Sequence, residues 1–208
     1  MCWNAEVSLN TFLFSFFVLC LIIYNNTYTK YKIKELNNVW LYLFFASFIF
    51  IQLIEFFIWK NIHNKHYNHI LTILRNILLL FQPFFSLMTI SNIHLRNKLL
   101  VGFFFFSLVY IYFYINNSVV NSKLSKQNHL LWFEDTNYIW LLWGFFFLFG
   151  FFYEKFWVGI YTGIITLLLS IYNYYNDKTY ASMWCWIANG VMVYYACYLL
   201  FYLPFVLK

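Results

Sequence analysis

Glu55 and Arg75 are the two side chains of this 208-residue chain that should not sit in hydrocarbon, yet each lies inside a long apolar run. Glu55 stands four residues before the end of the run Val39–Trp59, so it is about 6 Å from that helix end. Arg75 enters the next run, Ile70–Ile93, from the same side and to a similar depth. Either ion alone would cost on the order of 3 kcal/mol in a bilayer. The sequence therefore predicts that the two pair, either to fix helix register or to form a proton, cation or substrate site. Gln52 lies three residues before Glu55 and shares its helical face.

Arg75, Gln82, Ser86 and Thr89 fall within about 60° of one another at helical spacing. This polar seam is roughly 21 Å long and must turn away from lipid, so the other helices have to be arranged around it. Within it, Pro83 removes a backbone donor and frees the carbonyl of Leu79, which predicts a kink. Such a carbonyl can line a site or be repaired by packing.

Other groups carry narrower chemistry. His63, His66 and His69 repeat at i, i+3, i+6 and could offer metal ligands, but no Cys-x-x-Cys or His-Glu-x-x-His accompanies them, and a solvated basic loop is the favoured reading. Cys2 and Cys185 fall near one membrane face, Cys20 and Cys197 near the other, as expected if the first and last spans pack side by side. A Cys2–Cys185 disulfide is then available if that face is oxidising; plain burial of the thiols is the alternative. Gly159 and Gly163 form a Gly-x-x-x-Gly packing face. Trp40, Trp59, Trp140, Trp143, Trp157, Trp184 and Trp186 lie near span ends and read as an interfacial belt. Leu130–Phe133 reads as a segment lying along the interface.

Composition defines the elements that hold these residues. The chain is 63% hydrophobic, 27% aromatic and 10% charged, with a mean hydropathy of +0.66. That is membrane composition, since soluble domains are about half apolar and a quarter charged. The abundance of Phe, Tyr, Asn and Lys suggests an AT-rich genome, such as that of a protist, a parasite or a large DNA virus. The net charge of +6 is spread over short loops; it points to anionic lipid headgroups rather than nucleic acid, which needs a clustered basic face.

The apolar runs predict an all-α bundle of about seven transmembrane helices in one domain, 1–208, with spans near 7–24, 39–59, 70–93, 99–115, 138–153, 156–172 and 183–203. The stretch 138–172 is divided at Glu154-Lys155 because a single helix would be about 52 Å long. The start of the chain carries Glu6 and no basic residue, so the first run reads as an uncleaved helix. The lysines between the first two runs favour a non-cytoplasmic N-terminus and a cytoplasmic C-terminus.

With seven crossings, Cys2, Glu6, Gln52, Glu55, Arg75, Cys185 and Asn189 all fall toward one face, with four of the five histidines. The expectation is a one-sided polar pocket.

The opening Met-Cys-Trp, the run Phe81-Gln82-Pro83-Phe84-Phe85 and Trp184-Cys185-Trp186 together resemble an uncharacterised family of small multi-pass membrane proteins with a Gln-Pro-Phe-Phe middle helix. The resemblance implies the multi-span fold and brings no activity. Other seven-span families fit poorly. A retinal protein needs a lysine in its last span, and Met183–Leu203 has none, so no cofactor is expected. Ceramidase-like hydrolases need histidine and aspartate deep in several spans. The leading expectation is a transporter- or channel-like protein for a small polar solute or ion, not an enzyme. A membrane-embedded enzyme acting on lipid and a structural membrane or virion scaffold are the alternatives.

Overall fold

The computed structural model describes residues 4–116, 121–132 and 139–206. Its helices are α1 (Ala5–Tyr28), α2 (Val39–Lys60), α3 (Lys65–Met88), α4 (Ile93–Asn116), α5 (Ile139–Tyr153) and α6 (Trp157–Tyr174). The last, α7 (Tyr180–Val206), runs through Tyr180–Ala188, Gly190–Cys197, a π turn at Tyr198–Tyr202 and a final turn Leu203–Val206. Pro204 lacks the N–H that would bond to Leu200, and the wider π turn, with Leu203 N–H on the Tyr198 carbonyl, precedes it. Among the described residues, six of the seven helices are long and apolar enough to cross a membrane; α5, at 15 residues, is shorter. The protein is an all-α bundle of the multi-pass integral membrane type.

Burial supports that class, because it is inverted relative to a soluble protein. Phe17, Phe105 and Leu141 are 63%, 62% and 73% exposed, while Gln52, Glu55 and Arg75 are fully buried. Only a hydrocarbon exterior makes this arrangement favourable.

The helices pack as a ring in which α1 touches α2, α2 touches α3, α3 touches α5, α5 touches α6 and α6 touches α7. The middle segment of α7 returns to α1, and its first segment also meets α2. Trp186 Nε1 donates to Thr11 Oγ1 at 3.0 Å across that closure, so the first and last helices pack together as the cysteine positions suggested. Helix α4 lies outside the ring across α3 and α5, burying Phe103, Phe106 and Tyr110 against Phe146 and Trp140.

Helix ends differ from the hydropathy reading at α3 and α4. Helix α3 begins at an Asn64 cap whose Oδ1 accepts from Tyr67 N–H, and ends at Met88 rather than Ile93. Helix α4 starts six residues earlier than the apolar run, with Asn92 Oδ1 accepting from Leu95 N–H. Capping amides set these ends, and a hydropathy profile does not see them. Helices α5 and α6 are separated by a tight turn in which Lys155 takes φ 58°.

Between α4 and α5 the loop folds into a small antiparallel hairpin, β1 (Lys123–Leu124) with β2 (Leu130–Leu131). Leu130 and Trp132 are buried in the bundle. The expectation that Leu130–Phe133 lies along the interface is therefore corrected; Phe133 is outside the described residues.

Candidate functional site

The site is built where α2, α3 and the hairpin meet. Helix α3 presents Asn68, Thr72, Arg75 and Asn76 at successive helical spacings, all buried. Ser122 docks into this row. Its N–H donates to Asn68 Oδ1 at 2.9 Å and to Thr72 Oγ1 at 3.1 Å, and its carbonyl accepts from Asn68 Nδ2 at 3.0 Å. Its hydroxyl accepts from Arg75 Nη1 at 2.7 Å. Arg75 also donates to Asn76 Oδ1 through Nε and Nη2, at 3.3 and 3.0 Å.

Trp132 completes the cluster. Its Nε1 donates to Glu55 Oε1 at 2.9 Å, and the Arg75 guanidinium lies 4.9 Å from its ring centroid. Arg75 Nη2 reaches the Trp132 carbonyl at 3.5 Å. Glu55 and Arg75, expected to pair, are linked through this indole, which donates to the carboxylate and lies beneath the guanidinium. Stacking on a guanidinium while donating to a carboxylate suits an indole, which has a π face and one N–H.

The hairpin is fastened at two further points. Ser182 Oγ on α7 donates to the Leu130 carbonyl at 2.7 Å. Asp177, in the α6–α7 loop, accepts from Ser125 Oγ at 2.6 Å, and its Oδ2 lies 3.2 Å from His129 Nδ1. The hairpin thus caps the polar cluster while holding α2, α3 and α7 together.

Gln52 lies one turn along α2 from Glu55. It is fully buried, and neither its Oε1 nor its Nε2 has a hydrogen-bond partner among the described residues. The same holds for Asn76 Nδ2, Gln82 Nε2 and Asn189 Oδ1, whereas Asn189 Nδ2 donates to the Cys185 carbonyl of its own helix. Buried amides normally find partners in protein or ordered water, so this group marks interior that can take a polar guest.

The seam of α3 is buried throughout: Arg75, Gln82, Ser86 and Thr89 all face protein. Ser86 Oγ donates to the Phe147 carbonyl of α5 at 2.7 Å. The Leu79 carbonyl freed by Pro83 accepts from Trp143 Nε1 at 2.9 Å, so packing repairs it. Trp143 and Trp184 accordingly leave the interfacial belt; the second donates to Gly163 O at 3.1 Å and Thr166 Oγ1 at 3.0 Å. Gly163 thus meets α7 through an indole, while a Cβ on Gly159 would fall 2.4 Å from the Phe156 ring beside it.

Several expected residues stay outside the cluster. Glu6 is exposed in the first turn of α1, where a helix N-terminus favours a carboxylate. His63 and His66 are exposed and His69 is half-buried; among the described residues no group of three or more His, Cys, Asp or Glu is placed to hold a metal. Cys185 is a buried free thiol, and Cys2 lies outside the described residues. Ser122, Trp132, Asn68 and Thr72 are the residues sequence reasoning missed. The i, i+4, i+8 spacing of Asn68, Thr72 and Asn76 was the available signal, hidden because the apolar run was begun at Ile70.

Comparison with known proteins finds no matching family model, no matching curated protein and no matching solved structure.

Proposed function

We propose that the bundle is a transporter- or channel-like protein with a one-sided polar pocket for a small polar solute or ion. The observation that carries this reading is Gln52, an amide fully buried one turn from Glu55 with both polar atoms lacking partners among the described residues. In this reading Glu55 is the proton or cation site, oriented by Trp132. Arg75 is its counter-charge across the indole and the anchor of the hairpin. Gln82 and Asn189 contribute selectivity further along the interior. The hairpin closes the pocket on its own face, so solute entry follows its release from Asn68 and Thr72.

The loop charges extend the proposal to orientation. The lysine-rich segment between α1 and α2 belongs on the cytoplasmic side, against anionic headgroups, which leaves the hairpin on the opposite side. Reconstitution into liposomes tests the function: proton flux followed with an internal pH dye, and glycerol or urea entry followed by light scattering. The proposal expects at least one rate above protein-free vesicles and its loss in Glu55→Gln. Flux that survives both Glu55→Gln and Gln82→Leu contradicts it.

A further inference from the structure

Ser8 and Ser15 stand two turns apart on one stripe of α1 and are fully buried, yet neither hydroxyl has a hydrogen-bond partner among the described residues. By contrast, Thr11, Ser47, Ser107 and Thr166 donate to carbonyls of their own helices, and Ser86 donates to the Phe147 carbonyl of α5. Those are the ordinary ways for a membrane helix to satisfy a hydroxyl. Helix α1 packs against α2 and the middle of α7, so its buried serines face those two helices.

Three polar groups of this interface lie at one depth. Ser15 is about 15 Å from the start of α1, Gln52 about 12 Å from the end of α2 and Asn189 about 14 Å from the start of α7. These helix ends belong to the hairpin face: Trp132 bonds Glu55 on α2, Ser182 on α7 holds the Leu130 carbonyl, and Trp186 reaches Thr11 on α1. Ring contacts give the same level independently, with Phe16 against Phe50 at 6.0 Å and Phe45 against Tyr195 at 6.1 Å. Gln52 is seven residues from Phe45 toward the hairpin face, and Asn189 is six from Tyr195 in the same direction. One turn deeper each helix turns apolar, with Val18, Ile49 and Met192 all buried. The polar stripe thus runs inward from Ser8 for about half the hydrocarbon thickness and stops on an apolar floor.

The chemistry of these groups names their ligand. Each serine hydroxyl both donates and accepts, Gln52 brings an unpartnered acceptor and an unpartnered amino group, and Asn189 brings an acceptor. A bare cation needs acceptors alone, and an anion needs donors alone. A mixed, uncharged set suits water, which does both.

We propose that Ser8, Ser15, Gln52 and Asn189 bind a file of water that enters from the hairpin face, ends on the floor at Val18, Ile49 and Met192, and carries protons to Glu55, one turn from Gln52. This rests on the reading of Glu55 as the ion site and names the ion. The proton passes from water to water along hydrogen bonds and ends on the Glu55 carboxylate, whose Oε1 remains on Trp132.

Hydroxyl-radical footprinting of the full chain in phosphatidylcholine nanodiscs tests the water directly, because radicals formed in bound water oxidise the side chains beside it. Met192 and Cys185, both buried, should be oxidised in the parent chain, while Phe151, equally buried in the apolar core, should not. Oxidation of Met192 should fall at least threefold in Ser15→Val, and Ser8→Val, at the mouth of the stripe, should lower it independently. A Met192 as inert as Phe151, or one whose oxidation ignores both serine variants, overturns the water file. In liposomes, the proton flux that Glu55→Gln removes should also fall at least fivefold in Ser15→Val. A flux that Ser15→Val leaves untouched overturns proton delivery along this stripe. Serine-dependent oxidation of Met192 in a chain that carries no protons upholds the water site and contradicts the reading of Glu55.

Discussion

The Trp132 indole N–H donates to Glu55 Oε1 at 2.9 Å, bringing a residue from a polar loop to a carboxylate buried inside α2. The same ring carries the Arg75 guanidinium on its face at 4.9 Å. One side chain thereby mediates between two buried ions from different helices. Trp132→Phe keeps the ring and removes the donor. It should cost about 1.5–3 kcal/mol, the worth of a hydrogen bond to a charged group, read as a lower unfolding midpoint in detergent. Trp132→Leu should cost more, because the stacked cation loses its partner as well.

Ser122 fixes the hairpin to α3 through backbone as well as hydroxyl. Ser122→Ala should therefore weaken the cap by about 1–3 kcal/mol without releasing it. Asn68→Leu removes two of the bonds to Ser122 and should release the hairpin. Limited proteolysis within 121–132 should be faster in Asn68→Leu than in Ser122→Ala, and slowest in the parent chain.

Trp143 and Pro83 are coupled through the Leu79 carbonyl. Trp143→Phe should destabilise by about 1–3 kcal/mol by orphaning that buried acceptor. Pro83→Ala restores a helix N–H to the same carbonyl. The double variant should recover part of the loss, giving a non-zero coupling in a double-mutant cycle; strict additivity would contradict the repair.

The two glycines of α5 should respond oppositely. Gly150→Ala forces a Cβ into the Ser86 carbonyl and should cost about 3 kcal/mol or more. Gly144→Ala should be neutral or stabilise by up to about 1 kcal/mol. Thermal melts of the two variants side by side settle the comparison.

Glu35, in the turn before α2, accepts from the Tyr195 hydroxyl at 3.4 Å. Burial raises its pKa above the ordinary carboxylate value, and the Tyr195 hydrogen bond only partly offsets this. A raised carboxylate pKa means the folded state holds the proton more tightly than the unfolded one. The resulting stability is present in acid and is lost as pH rises through the folded pKa. Glu35→Gln should thus melt higher than the parent at pH 7, and the difference should shrink toward zero below about pH 4.

Much of the fold was legible because a bilayer imposes lengths and hydropathy that a chain cannot disguise. The buried seam of α3 followed from the spacing of Arg75, Gln82, Ser86 and Thr89. The meeting of Glu55 and Arg75 near one depth was legible, but nothing in the period of α2 or α3 signals Trp132, the indole that touches both. The hairpin was hidden for a related reason. Its contacts reach back to α3 across some fifty residues, and an Asn- and Ser-rich loop has no hydrophobic period to reveal which residues turn inward. The tryptophans misled in the opposite direction: position near a span end suggested an interfacial belt, while Trp143 and Trp184 were satisfying backbone carbonyls inside the bundle.

The central claim is that the interior around Gln52 is a polar pocket reached from the hairpin face. Sided labelling of Gln52→Cys, in a chain whose native cysteines are replaced by serine or alanine, tests it most directly. In liposomes of defined orientation, a membrane-impermeant methanethiosulfonate reagent should modify Cys at position 52 from the hairpin side, and Asn68→Leu should accelerate the reaction. No modification from the opposite side is expected. A thiol that stays unreactive from both faces after the hairpin is released, or reacts equally from both, contradicts the account.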